Sequence, residues 1–306
     1  MDASCTQSMI QLLKELDILE PIPTGVAPHY HRDDAIKAVI FDIYGTLLIS
    51  ESGDIDESSM TTQSLKIALD AAGVRLRADD GKEEHHILRH LLHSFTLSVK
   101  QHHKLANEKN IPFPEVNIIE IWETVVHCGK KQHLVRTYNP EQIKCLTFVF
   151  EVLSNKVYPM PGMARVLETM QNKGLAVGIV SNAQFYTPII MNYFLDRKNG
   201  VDNIDGIDPA LQIYSYKERI AKPETKLYQR VLQPLQEQYN IEPNECLFVG
   251  NDMYKDVWPA QQLGIKTALF AGDQRSLRLR REKPELKNVK PDFTITELSQ
   301  LTSVVS

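Results

Sequence analysis

Four short stretches place groups capable of displacement chemistry at the ends of apolar runs or at a loop edge. Asp42 closes IKAVIFD, and Tyr44, Gly45 and Thr46 follow it. Ser181 and Asn182 close LAVGIVSN. Asp252 ends ECLFVGND, with Asp256 four residues further on. Lys222 stands in IAKPE, just ahead of a helical pattern. A carboxylate can serve as a nucleophile and split one hard displacement into two easier ones. Further carboxylates nearby suit a hard divalent cation. A hydroxyl, an amide and a lysine together supply donors for a reacting anion. Singly, each signal is weak, because an aspartate at a strand end is often only a turn or cap residue. The joint, ordered pattern is what points to chemistry.

The elements that position these groups are legible as well. Runs 36–45, 175–182, 245–252 and 265–272 are short, apolar and rich in β-branched residues, and read as buried parallel strands. Helical patterns fall between them at 163–173, 225–239 and 255–263, two of them closed by Gly174 and Gly264. This alternation predicts an α/β fold: a Rossmann-like open parallel sheet with helices on both faces. Ligands in such sheets bind outside the carboxyl ends of the strands, where the residues above stand. One interval breaks the rhythm. Between 51 and 156 there is no such strand, only helical patterns at 60–72, 85–108, 116–128 and 141–153, opened by the acidic ESGDIDESS. The expected organisation is an N-terminal extension at 1–34, an α/β core at 35–50 and 157–306, and an inserted all-helical cap domain at 51–156.

The ordered motifs resemble the haloacid dehalogenase superfamily of hydrolases. The first motif of that family, DxxGT[LV], matches Asp42-Ile-Tyr-Gly-Thr-Leu. Its second, a hydroxyl residue ending a strand, matches Ser181-Asn182; its third, a lysine in a KP context, matches Lys222-Pro223. Its fourth, an acidic pair after an apolar strand, matches Asp252 and Asp256 in GNDMYKD. The likeness covers about residues 36–272. It implies that Asp42 attacks the substrate and forms a covalent intermediate, with Ser181 and Lys222 completing the catalytic set. It implies Mg²⁺ held by Asp42, Asp252 and the Tyr44 carbonyl, with Asp256 as a direct or supporting ligand. Substrate contacts fall to Tyr44, Thr46, Ser181, Asn182 and Lys222. The family's helical cap implies a small-molecule substrate.

Tyr44 departs from the pattern. Most phosphatases of the family carry a second aspartate there, which protonates the leaving oxygen. A phenol with an ordinary pKa near ~10 keeps its proton at neutral pH and is a poor base. The 2-haloacid dehalogenase branch commonly has DxYGT, since halide leaves without a proton, yet it works without metal and has a different fourth motif. Here GNDMYKD presents two acids, as phosphatases do. Asp252 opposite Asp42 crowds two carboxylates, which favours a bound cation. The leading expectation is a Mg²⁺-dependent phosphatase acting on a small phosphorylated metabolite. A metal-independent 2-haloacid dehalogenase is the alternative, and a catalytically impaired scaffold that binds a ligand or partner is a third.

Bulk properties narrow the field further. The formal net charge of −5 argues against a role driven by neutralising nucleic-acid phosphates. Cys5, Cys128, Cys145 and Cys246 form no CxxC pair, so neither a zinc site nor a disulfide framework is expected. The polar start is unlike a signal peptide, and no apolar run reaches the ~18 residues of a membrane span. A cytoplasmic location is expected, and a homodimer stays open. Leu12, Leu13, Leu16 and Leu19 suggest a short amphipathic helix. His86, His90 and His93 share a helix face but have no carboxylate or cysteine to complete a metal set. RSLRLRRE, from Arg275, is read as a solvated basic segment, Trp122 as packing within the insertion, and Trp258 as packing of a helix near the fourth motif.

Overall fold

A computed structural model describes residues 3–51, 60–78, 81–197 and 202–305. Two units emerge: Met1–Asp17 with Asp56–Lys156, and Ile18–Ile55 with Val157–Ser306. The acidic opening of the insertion, 52–59, lies outside the described residues.

The second unit is built on a six-stranded sheet. Its strands are β1 (Ala38–Phe41), β4 (Ala176–Ser181), β5 (Gln212–Tyr214), β6 (Cys246–Gly250), β7 (Lys266–Phe270) and β8 (Phe293–Ile295). They run in the order β5-β4-β1-β6-β7-β8, and every pairing is parallel. A small antiparallel pair, β2 (Leu48–Ser50) with β3 (Val157–Pro159), brackets the insertion point. Every residue of β1 is buried, which is why its sequence, AVIF, has no polar alternation. The chain builds outward from β1 to β4 and β5 on one side, then to β6, β7 and β8 on the other. That reversal makes β1 the switch point of the sheet, where a crevice opens at the strand ends.

Helices α6 (Met163–Asn172), α7 (Thr187–Phe194), α8 (Ser215–Glu218), α9 (Lys226–Tyr239), α10 (Trp258–Gln262) and α11 (Leu301–Val304) belong to this unit. On α6, Met163, Val166, Leu167 and Met170 are buried at i, i+3, i+4 and i+7, the stripe of an amphipathic helix. On α9, Leu227, Tyr228, Val231, Leu232 and Leu235 bury against Ile40, Val180 and Phe248 of the sheet.

The regular elements of the other unit, among the described residues, are the helices α1 (Ala3–Lys14), α2 (Thr62–Ala71), α3 (Gly81–Glu108), α4 (Ile118–Lys131) and α5 (Pro140–Ser154), with one antiparallel bridge between Leu76 and Val135. Asn139 and Gln142 form a reciprocal capping box that starts α5. The core centres on Trp122, fully buried, with its ring 4.8 Å from Phe95 and 4.9 Å from Phe150.

The N-terminal 34 residues do not stand apart as an extension. Met9 and Leu13 of α1 are buried, and Asp17 pairs with Lys156, so this part packs with the helical unit. From Ile18 on, the chain joins the α/β unit: Thr24 Oγ1 donates to the Ala271 carbonyl, and His29 pairs with Thr294 through two backbone bonds. The helix ends at Lys14, so Leu16 and Leu19 lie beyond the helical periodicity expected of them. Two edge strands, β5 and β8, were also not anticipated; at three residues each they are too short to show a pattern. No described helix is long and apolar enough to cross a membrane.

Candidate active site

The eight candidate catalytic, substrate-binding and metal-binding residues all lie in the α/β unit, at strand ends or in the loops that follow. Asp42 follows β1 directly, and its backbone N–H donates to Val249 of β6. The chain then turns sharply. Gly45 has φ 84, and a β-carbon there would fall 2.6 Å from Ser276 Cβ and 2.7 Å from Asn251 Nδ2. Only glycine satisfies both the left-handed backbone and that close approach.

The carboxylate of Asp42 is fixed through one oxygen. Its Oδ1 accepts hydrogen bonds from Ser181 Oγ at 2.8 Å and Lys222 Nζ at 2.7 Å. Its Oδ2 has no partner among the described residues. Lys222 also donates to Asp256 Oδ1 at 2.6 Å, and both side chains are almost wholly buried. The Lys222 loop is itself held by Asn182, whose Oδ1 accepts the Lys222 backbone N–H at 2.7 Å.

Electrostatics follow from this enclosure. Burial works against the Lys222 ammonium, but Asp256 and Asp42 outweigh it and hold its pKa above the ordinary lysine value. Burial pushes the Asp256 carboxyl above the ordinary carboxylate range, with Lys222 pulling it down and Asp42 and Asp252 adding to the rise. Tyr228, beneath the site, is pushed well above its ordinary value by burial first and then by Asp256, Asp42 and Asp252. Its hydroxyl donates to the Lys255 carbonyl, so it is a neutral wall of the site.

Asp256 is seated by its own loop. Its Oδ2 accepts the Asp252 backbone N–H at 2.9 Å, across a π-type turn at Met253–Val257. Gly250 makes room for it: a β-carbon there would lie 2.4 Å from Asp256 Cγ. Gly250→Ala is therefore expected to destabilise the protein by about 2–3 kcal/mol, read as a lower denaturation midpoint, because overpacking displaces Asp256. A loss below about 0.5 kcal/mol, within the scatter of surface substitutions, shows that Asp256 is not held there.

Two sequence-expected substrate contacts do structural work in this arrangement. Thr46 Oγ1 donates to Asn251 Oδ1 at 3.2 Å, and Asn251 Nδ2 donates to the Ser276 carbonyl at 2.6 Å, stapling the loops together. The Tyr44 hydroxyl lies 2.8 Å from Thr187 Oγ1, at the first residue of α7.

One charged group in the site was not singled out from the sequence. Arg280 grips Asp252 Oδ2 through Nε at 3.1 Å and Nη2 at 2.9 Å. The reading of RSLRLRRE as a solvated segment is corrected here. Arg278 pairs with Asn251 and Met253 through backbone bonds, while Leu277 and Leu279 pack against Met253, Val257, Leu269 and Leu286. The alternation of Leu and Arg was the available signal, since an extended segment puts alternate residues on one face.

Three buried carboxylates are the oxygen ligands a hard divalent cation would require. Lys222 pairs with Asp42 and Asp256, Arg280 pairs with Asp252, and Asp42 Oδ2 is open among the described residues. Among the described residues, no three acidic, histidine or cysteine side chains form a ready-made metal ligand set. Both Asp256 oxygens are engaged, by Lys222 and by the Asp252 N–H, which makes Asp256 a support in this arrangement rather than an open donor. Elsewhere, His90 bonds Gln132, Trp258 stacks on Tyr254 at 5.4 Å, and Cys128, Cys145 and Cys246 are not in disulfides.

A family model described as haloacid dehalogenase-like hydrolase matches residues 36–264, and the chain belongs to that family. Glyceraldehyde 3-phosphate phosphatase of Pyrococcus furiosus is 28% identical over 147 residues, which is 48% of this chain and 54% of that protein. The enzyme of the same name from Pyrococcus abyssi is 26% identical over 36% of this chain and 42% of its own length. The chain thus matches only about half the length of these curated relatives. Among solved structures, 2-haloacid dehalogenase from Pseudomonas syringae pv. Tomato shares the fold at 17% identity, with a TM-score of 0.52 over 87% of this chain and 96% of that one.

Proposed function

We propose that this chain hydrolyses a small phosphate ester or anhydride through a covalent intermediate on Asp42, with Mg²⁺ held by Asp42, Asp252 and the Tyr44 carbonyl. The observation that carries the reading is the asymmetry of Asp42: Oδ1 is pinned by Ser181 and Lys222, while Oδ2 is without a partner among the described residues. Oδ2 attacks phosphorus, the bond to the leaving oxygen breaks with its electron pair, and an acyl phosphate forms on Asp42. Water then cleaves that phosphate and restores the carboxylate. Lys222 keeps its proton throughout and balances the charge at Asp42. The cation, when bound, reduces the repulsion between a carboxylate and a phosphate dianion. The phosphatase relatives support this reaction class.

The leaving group follows from Tyr44. Its hydroxyl is engaged with Thr187 and is a weak acid, so no carboxylic acid stands at that position to protonate a departing alkoxide. The substrate class is one whose leaving group departs as a weak base, such as an acyl or aryl phosphate. With Mg²⁺ present, acetyl phosphate and p-nitrophenyl phosphate are expected to exceed glycerol phosphate or glyceraldehyde 3-phosphate in kcat by about 100-fold or more, the scale of lost general-acid help. Tyr44→Asp is expected to narrow that gap by raising the alkyl phosphate rates. Absence of phosphate release from all four substrates overturns the reading.

A second reading draws on the same tyrosine. Halide needs no proton, and Arg280 already balances Asp252 without a metal, an arrangement that suits a 2-haloacid dehalogenase. Metal-independent chloride release from L-2-chloropropionate, with no phosphate turnover, decides for it. Thermal stabilisation by phosphorylated ligands with no turnover of any kind decides for a binding scaffold.

A further inference from the structure

Asp252 is already saturated. Its Oδ1 accepts the backbone N–H groups of Tyr254 at 2.8 Å and Lys255 at 3.1 Å. Its Oδ2 accepts both Arg280 donors. A carboxylate has about four acceptor sites, and all are taken. A divalent cation that uses Asp252 must therefore remove a donor. The two backbone donors belong to the turn that also seats Asp256, so releasing them dismantles the site. Arg280 is different: its side chain is 27% exposed, so water can receive its guanidinium.

The Arg280 contact is also well defined. Met253 N–H donates to the Arg278 carbonyl, and Arg278 N–H to the Asn251 carbonyl, which zips the segment onto the fourth-motif loop. Arg280 itself has φ 48, a left-handed backbone uncommon for a residue with a β-carbon. Two guanidinium nitrogens converge on the single oxygen Oδ2, a charge-assisted contact.

We propose that Arg280 is an intramolecular competitor for the divalent cation. In the metal-free protein it neutralises Asp252, and the cation enters by displacing it. The idea rests on the metal-binding reading above and makes Arg280 a positioning residue, acting through Asp252. The apparent metal affinity is then the intrinsic affinity reduced by the small fraction of molecules in which Asp252 is released. The exchange also keeps the charge near Asp252 balanced in both states.

The test is direct metal binding by the full-length chain, with Mn²⁺ as the probe because it takes the same hard oxygen ligands as Mg²⁺. Free Mn²⁺ is followed by electron paramagnetic resonance, with Mg²⁺ as competitor. Arg280→Gln is expected to bind Mn²⁺ about tenfold or more tightly than wild type, as the competing state is lost. Arg280→Lys keeps the charge without the planar fork and is expected to fall between the two. Without metal, Arg280→Gln should melt below wild type, and Mg²⁺ should close the gap. A merely structural role predicts the opposite sign for affinity, since a damaged site binds metal more weakly. Unchanged or weaker Mn²⁺ binding by Arg280→Gln overturns the proposal, as does absence of saturable binding in both proteins. If Arg280→Gln does not fold, the same comparison between Arg280→Lys and wild type decides. Phosphate turnover is scored separately: turnover with an unchanged Mn²⁺ affinity overturns the competitor role alone, and tighter binding without turnover overturns the phosphatase reading alone.

Discussion

Asp42→Asn is expected to abolish turnover, by at least about 10⁴-fold in kcat, while the protein stays folded; losses of this order follow removal of an enzyme's nucleophile. The substitution is close to isosteric. The Asn carbonyl can still accept from Ser181 and Lys222, which now reach Oδ1 at 2.8 and 2.7 Å. Lys222 keeps Asp256 as a charged partner at 2.6 Å, so its ammonium is not stranded. What disappears is the charge on Oδ2 and with it the nucleophile. Circular dichroism and the denaturation midpoint should therefore change little, and the rate should collapse for every substrate. Either enzyme reading shares this outcome, because phosphate and halide displacement both use the same carboxylate. Residual activity within about tenfold of wild type places the nucleophile elsewhere. Trapping sharpens the result: mass spectrometry of quenched wild-type protein should show the adduct on the peptide that contains Asp42, and the variant should show none.

The sequence reached this site because its chemistry sits where local pattern is strongest. β1, β4, β6 and β7 are internal strands of a parallel sheet, buried on both faces, so each is written as an unbroken apolar run. Asp42, Ser181 and Asp252 end or follow such runs, and their positions could be read directly. Roles were harder than positions. Thr46 and Asn182 stood in the motif text, yet Thr46 bonds Asn251 and Asn182 holds the Lys222 loop, contacts set by tertiary approach. Arg280 was missed for the same reason. Its importance depends on a left-handed backbone and on pairing between Arg278 and residues 251–253, far apart in sequence. The short strands β5 and β8 exist because they lie against longer neighbours, an influence no three-residue window contains. Helix α7 was not anticipated either; Pro188 at its start pre-sets the backbone, but its apolar residues are too continuous to show a period.

Lys222→Met is expected to be the substitution that costs most in both stability and rate. Lys222 is the cation between two buried carboxylates, with Nζ at 2.7 Å from Asp42 and 2.6 Å from Asp256. Methionine fills a similar volume, so packing is preserved and the effect isolates the charge. Breaking a buried pair by removing one partner typically costs about 3–5 kcal/mol, because the other charge is left uncompensated. Here two carboxylates lose their partner together, which places the expected loss at the upper end of that range. A loss of that size lowers the melting temperature by roughly 10 °C in a protein of this length. The rate should fall with it, by about 10³-fold or more, since no cation then balances the charge developing at Asp42. Lys222→Arg separates the two effects. It restores a cation and should recover much of the stability, but a planar fork does not reproduce a point charge held within 2.7 Å of both oxygens. Its activity should stay low. If Lys222→Met instead melts within about 2 °C of wild type, the pair is not buried as described, because a shift that small corresponds to less than about 1 kcal/mol. If Lys222→Arg is fully active, the position needs only charge, and the geometry around Asp42 is looser than two short bonds imply.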